Sequence, residues 1–184
     1  EGHIDSLEET LNRLLNVIDD IFDMTKLQDH NLTLNRQKVD LKSFMSMILE
    51  GMTAHFTDTQ TKLRQEFTSD DLPTSIDFVY LGRACDKLIN FVLDFSQSDS
   101  EIVISLQKQS LSGKSVALIE MSSTALHFEA EEISQMFSPF YQVSEGKVHN
   151  TGLNLAIAQQ IVRVHEGTLN AANDPIKGGQ FRMI

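Results

Sequence analysis

Residues 150–169 read NTGLNLAIAQQIVRVHEGTL, a polar loop with a single glycine that runs into a segment carrying Leu153, Leu155, Ile157, Ile161 and Val162. Their recurrence at helical spacing makes an apolar stripe of the kind that docks a helix on a sheet. The strand-like stretches TLNAAN and GQFRMI follow it directly. A helix beginning near Thr151 offers unpaired N–H groups and the positive end of its dipole, so weak anion binding is physically possible there. Close approach of a phosphate favours glycine, yet Asn150 and Asn154 stand at two positions where glycine would matter. The stretch therefore poses a choice between a nucleotide site and a retained shape.

Working outward, EIVISLQ (101–107) and SVALIEM (115–121) alternate like strands, and the polar KQSLSGK between them suits a hairpin loop. A short acidic helix, EAEEISQMF, follows, with Glu129, Glu131 and Glu132 suited to a helix N-terminus. Upstream, Leu81, Ala84, Cys85, Leu88, Val92 and Phe95 form another helical stripe, and KLRQEF (62–67) alternates like a strand, with Pro73 and Asp77 as punctuation. Asp40 caps a helix whose apolar positions are Leu41, Phe44, Ile48, Met52 and Phe56. At the front, Ile4, Leu7, Leu11, Leu14, Ile18, Ile21 and Thr25 keep the three-and-four spacing of a helix packed lengthwise on other helices, widened by Leu15 and Phe22. The turn-rich LQDHNLTLNRQKVDL separates it from the rest as a hinge. The sum is an α+β sandwich, an antiparallel-leaning sheet with helices on one face, preceded by a long amphipathic helix.

Bulk properties narrow the function. A chain of 184 residues that is 41% hydrophobic, with 3 Pro and 9 Gly, has enough apolar content for a core. Its net charge of −11 repels a phosphate backbone, so no nucleic-acid partner is expected. One cysteine, Cys85, leaves neither an internal disulfide nor a thiolate cluster for zinc, and reads as a small core residue in a reducing compartment. No run is long and apolar enough to span a membrane, so no direct membrane contact is expected. The start lacks both Met and a signal-peptide pattern, and GGQFRMI ends as if within a strand, so the expectation is a cytosolic fragment of something larger.

The order of elements, with MFSPFYQ before TGLNLAIAQQIVRVHEGTL, resembles the core of sensor histidine kinases over nearly the whole chain. FSPFYQ, Phe137 to Gln142, is close to the family's F-box, and LNRLLNVIDDIFDMTKLQ looks like the second helix of its dimerisation hairpin. The resemblance implies a dimerisation-type helix and linker over 1–38 and a histidine-kinase-like, ATP-binding catalytic domain over 39–184. It also implies a homodimer through the N-terminal helix, a response regulator or phosphotransfer protein as partner, and a cytoplasmic position within a larger membrane-anchored sensor.

The same resemblance locates the nucleotide-contacting boxes. The metal-binding Asn of the N-box falls on Phe91, and the basic residue after it on Asp94; a benzyl group cannot hold Mg²⁺. Asn90 lies one place away, about 100° around the helix. The adenine-binding Asp of the G1 box falls on Ser123, and its glycines on Ala125 and His127. In the G2 box only Gly152 survives, with Asn150 and Asn154 at the other glycine positions, and a later paired glycine is half kept as Glu166 and Gly167. These residues describe a vestigial pocket, Asn90, Phe91, Asp94, Ser123, Ala125, His127, Gly152 and Asn154, with no catalytic residue, no metal ligand and no cofactor expected. The expectation is a degenerate, pseudokinase-like module of a two-component or phosphorelay protein acting by docking and dimerisation. Two alternatives stand beside it. One is an active kinase using ATP and Mg²⁺ through Asn90 and Asp94 in a shifted register, and the other is a scaffold within a phosphotransfer intermediate.

No phospho-acceptor is evident. GHIDSLEE around His3 lacks the family's acceptor pattern, and His30, His55, His127, His149 and His165 show no metal-binding spacing. The seven Met read as core filler.

Overall fold

The computed structural model describes residues 2–28, 32–95, 99–143 and 151–184, with the side chains of 2–9, 12 and 13 outside the description. The side chains of His3, Ile4 and Leu7 therefore lie outside it, as do residues His30, His149 and Asn150 altogether. In chain order the elements are α1 (Gly2–Gln28), β1 (Arg36–Asp40), α2 (Leu41–Gly51), α3 (Thr53–Asp58), β2 (Lys62–Phe67), β3 (Pro73–Asp77) and α4 (Phe78–Phe95). Then come β4 (Glu101–Leu111), β5 (Lys114–Ser123), α5 (Ala130–Gln135), α6 (Asn154–Val164), β6 (Leu169–Asp174) and β7 (Gly178–Met183).

Five strands form one sheet in the order β2-β4-β5-β7-β6, antiparallel throughout except that β2 runs parallel to β4. Alternation along each strand sends Ile102, Ile104 and Leu106 of β4, Ile119 and Met121 of β5, and Phe181 and Met183 of β7 to one face. The helical stripes of α2, α4 and α6 cover that face: Phe44, Met45 and Leu49; Ala84, Leu88 and Val92; Leu155, Ile157 and Ile161, all buried. This is the two-layer α+β sandwich that the patterning implies. Cys85 is wholly buried in it, and burial pushes its thiol up to about 12, so it behaves as a core residue.

Local chemistry explains three departures from the sequence reading. The helix capped by Asp40 breaks at Met52, whose N–H is shared between the carbonyls of Ile48 and Leu49, so the stripe to Phe56 continues on a separate short helix. The hairpin arms run through most of KQSLSGK and turn only at Ser112 and Gly113, both at positive φ (51° and 80°), the geometry of a tight two-residue turn. Pro73 to Asp77, read as punctuation, is β3, paired antiparallel with β1 from Arg36↔Asp77 to Asp40↔Pro73. A proline at the first residue of such a strand is compatible with pairing.

Asp40 joins these pieces. Its carboxylate accepts from Ser43 N (3.1 Å) and Ser43 Oγ (2.8 Å), closing the N-terminus of α2, and from Leu72 N (3.3 Å) in the approach to β3. The Ser43 hydroxyl, then the backbone amides, hold its carboxyl below the ordinary range. Asp40→Ala should cost about 1–2 kcal/mol in urea unfolding at neutral pH. A carboxylate with a lowered folded pKa stabilises above its unfolded value and stops doing so as pH falls through the folded one. The gap between wild type and variant should therefore close in that acidic window.

Candidate functional site

The described residues matched to the nucleotide-contacting boxes lie on α4, on the segment after β5 and at the start of α6; Phe91 and Ser123 are buried, while Asn90 and Asn154 border a cleft. Phe91 is 1% exposed. Its ring lies 4.7 Å from Phe95 and 5.5 Å edge-on from Phe181, which also meets Phe128 at 5.5 Å and Phe137 at 6.4 Å. The ring that the resemblance matches to the metal-binding Asn is thus one member of an aromatic cluster that includes Phe128 of the segment after β5 and Phe137. Edge-on and tilted pairs at these separations are favourable beyond simple burial.

The G1 segment is pulled the same way. Ser123 ends β5, buried, and its hydroxyl is engaged locally by the amide of Ala125 (3.3 Å). Leu126 and Phe128 point into the core while His127 is exposed. The backbone between them is clasped by Asn173, which accepts from Phe128 N (3.0 Å) and donates to Phe128 O (2.6 Å), and by Gly179 N donating to Leu126 O (2.7 Å). Asn173 carried no signal in the sequence, because its partner lies far away in the chain. Asp94 is half-buried and already engaged.

Gly152 survives for a reason internal to the fold. It holds φ of +73°, and a Cβ there would lie 2.6 Å from the carbonyl carbon of Phe140, while its own carbonyl accepts from Phe140 N (2.9 Å). Phe140 itself sits at φ +66°. Glycine at 152 lets the F-box backbone pass, whether or not a phosphate ever arrives. At the other end of α6, Glu166 occupies a positive φ of 68° where glycine is easier, and its carboxylate is tied to Arg36 at 2.9 Å.

The N-terminus of α6 begins at Asn154 rather than near Thr151, and an anion already stands beside it. Asp20 of α1, 6% exposed, is paired with Lys87 of α4 and accepts from Thr151 Oγ1 (3.2 Å). Lys87 also donates to Asn154 Oδ1 (3.3 Å). Around this contact lies a polar cleft of about 360 Å³, bordered by Asn16, Asp19, Asp23, Arg83, Asp86 and Asn90 among others. Asn90 thus faces the cleft while Phe91, the next residue, faces the core, as the helical rotation requires. Burial raises the Asp86 carboxyl above the ordinary range, with His55 and Lys87 opposing that rise. A larger cavity of about 530 Å³ lies at the opposite end of α6, bounded by Leu72, Ile76, Val116, Val162 and Met183 together with Glu166 and Gly167. Among the described residues no group of three or more His, Cys, Asp or Glu is placed to hold a metal ion.

Fold and site together define a class. Residues 76–184 match the model of the histidine kinase-, DNA gyrase B- and HSP90-like ATPases, and the chain belongs to that family. Within it, the relatives are two-component sensor kinases. The chain is 24% identical over 165 residues to the sensor protein kinase WalK of Staphylococcus saprophyticus, covering 88% of this chain and 26% of that protein. It is 25% identical over 185 residues to the signal transduction histidine-protein kinase BarA of Escherichia coli, covering 97% and 20%. The chain thus spans a fifth to about a quarter of those proteins' length. Among solved structures, the histidine kinase AdeS of Acinetobacter baumannii superposes with a TM-score of 0.79 at 18% identity, covering 100% of this chain and 83% of that one. Full-length ShkA in complex with AMPPNP gives 0.81 at 16%, covering 99% and 37%. The fold is that of the histidine-kinase ATPase domain with a long helix before it.

Gly152→Ala tests the reading of the surviving glycine. It should destabilise the protein by more than about 1 kcal/mol in urea unfolding, through both the positive φ and the clash with Phe140. Unchanged stability would return Gly152 to the ligand.

Proposed function

We propose that this chain is a degenerate histidine-kinase module, a pseudokinase-like part of a two-component or phosphorelay protein that works by docking and dimerisation instead of ATP-dependent phosphorylation. The observation that carries the reading is the burial of Phe91, at the metal-ligand position, inside the cluster with Phe95 and Phe181. A metal ligand must present a hard oxygen, and here a packed hydrocarbon ring takes that place. Two further features point the same way. The G1 segment lies clasped across Leu126 and Phe128 with an uncharged Ser123 at its head. The carboxylate of Asp20 stands beside Lys87 and Thr151 near the start of α6, where an incoming phosphate would meet like charge.

Titration calorimetry with ATP and Mg²⁺ should give no binding in the micromolar range, and micromolar affinity would sink the proposal. One observation favours a second reading, an active kinase in a shifted register: Asn90 borders the polar cleft together with Lys87 and Asn154. That reading requires autophosphorylation in a chain carrying an acceptor helix, abolished by Asn90→Ala.

The partner proposed for the N-terminal helix is a second copy. Leu11, Leu14, Leu15, Ile18, Ile21 and Phe22 form an exposed stripe on α1, with Phe22 61% exposed. A stripe of that breadth invites self-association. Light scattering should report a dimer that Leu14→Glu with Phe22→Glu converts to monomer; a monomeric wild type at high concentration would remove the stripe from the proposal. The further partner is a response regulator or phosphotransfer protein, and the proposed location is the cytoplasmic part of a membrane-anchored sensor; no helix of the described residues is long and apolar enough to cross a membrane.

A further inference from the structure

The cavity of about 530 Å³ at the C-terminal end of α6 is built by the strand register. Strand β4 turns Ile102, Ile104 and Leu106 to the covered face of the sheet, and the same alternation puts Lys108 next on that face, opposite Ala117 of β5. There the cover thins: Ala117 is half-buried and Lys108 exposed. Ile76, Leu81, Ala117, Ile119, Val162 and Met183 give the space apolar walls.

Strand β3 adds main-chain groups. In an antiparallel ladder alternate residues give both main-chain groups to the partner strand, and the residues between give neither. Leu72 O accepts from Leu41 N (3.0 Å) on the β1 side, whereas Asp77 N donates to His165 Nε2 (3.0 Å) at the end of α6. Asp77 therefore turns away from β1, and so does Ser75 two residues before it. In a sheet of two strands that leaves the Ser75 N–H and C=O at a free edge, and Pro73 to Ile76 all border the cavity.

The charged groups at the cavity are Asp71, Lys108 and Glu166, with His165 beside them. Glu166 is engaged by Arg36 (2.9 Å), and His165 uses both ring nitrogens within the fold, Nε2 accepting from Asp77 N and Nδ1–H donating to Ile161 O (2.8 Å). Lys108 forms no ion pair among the described residues. Its stem prolongs the apolar floor of β4 and carries the ammonium to the margin. Asp71, the other unpaired charge, stands in the loop ahead of β3.

We propose that this cavity binds a small apolar monocarboxylate. The apolar body fills the space over Ala117, Ile119 and Met183, the carboxylate meets the Lys108 ammonium, and the free edge at Ser75 offers a main-chain N–H. Mainly apolar cavities of roughly 300–1,000 Å³ with a few converging polar groups are the usual form of small-molecule sites. A charge-assisted hydrogen bond to Lys108 supplies the discrimination that apolar walls lack. Phe91, Ser123, Asn90 and Asn154 do not border the cavity, so the site does not depend on whether nucleotide binds.

The test is methyl NMR on the whole chain titrated with phenylbutanoate, with phenylbutanol and phenylbutylamine as the neutral and cationic ligands of the same body. Phenylbutanoate should give saturable shifts at Ile76, Ile119, Val162 and Met183. It should bind at least about fivefold tighter than the alcohol, as a hydrogen bond to a charged group provides. Lys108→Met, at an exposed position, should leave the alcohol's affinity unchanged and remove the advantage of the acid. Ala117→Leu, which fills the floor, should weaken all three ligands together; if that variant does not fold, Lys108→Met decides alone. The proposal is overturned by an absence of saturable shifts at those methyls, by a smaller preference for the acid, or by a preference that survives Lys108→Met. Tighter binding of the amine would assign the charge to Asp71, and shifts confined to the exposed stripe of α1 would place the ligand elsewhere; either result also overturns it.

Discussion

The packing of Phe91 against Phe181 is the constraint on which the rest of the site depends. Phe181 stands on the sheet's covered face, and the three rings around it come from α4, the segment after β5 and the F-box. Each of those segments carries one of the boxes matched to the family. With a ring at position 91, the surrounding segments gain by packing on it, and the hydrogen bonds of Asn173 and Gly179 to the backbone after β5 hold them there. Burial of a large aromatic side chain is among the strongest single contributions to a core, with truncation to Ala costing about 3–5 kcal/mol. The cluster is a structural asset of this chain in its own right.

Glycines separate along the same line. Gly152 remains because the Phe140 backbone would collide with any side chain there. Position 154, which has no such neighbour, carries an asparagine that binds Lys87. Glu166 tolerates its left-handed backbone with a carboxylate anchored to Arg36, which also donates to Val164 O (3.2 Å) and so fastens the start of β1 to the end of α6. Gly152 is thus required by its neighbour's backbone, whereas Asn154 and Glu166 hold their places through contacts with Lys87 and Arg36.

How far this could be read in advance follows from which interactions are periodic. The stripes of α2, α4 and α6 and the alternation of β2, β4, β5 and β7 are repeated signals, and they gave the sandwich and its covered face. The match of Phe91 to the family's metal-binding Asn rests on the resemblance, counted along the chain from Asp77; the α4 stripe adds only that position 91 turns inward. What it packs against is not legible there, because Phe181 and Phe137 arrive from remote segments. β3 gives no strand signal because Pro73 and Asp77 are breakers in isolation, and Asp77 caps the next helix, accepting from Val79 N and Tyr80 N (both 3.1 Å). The inward acidic face of α1 likewise depends on remote partners, since Asp20 and Asp23 meet Lys87 and Arg83 only in the folded chain.

The single parallel pairing in the sheet bears on the order in which the chain assembles. β4 with β5 and β6 with β7 are joined by short turns and meet at little cost in loop closure. β2 has no such neighbour: its partner β4 is reached only after the chain has passed out through β3 and back along the whole of α4. That edge is therefore a non-local pairing, as β5 with β7 also is, and its closure takes in the whole of α4. A lesion in the buried side of α4 would show first as fraying of an edge strand that it hardly touches.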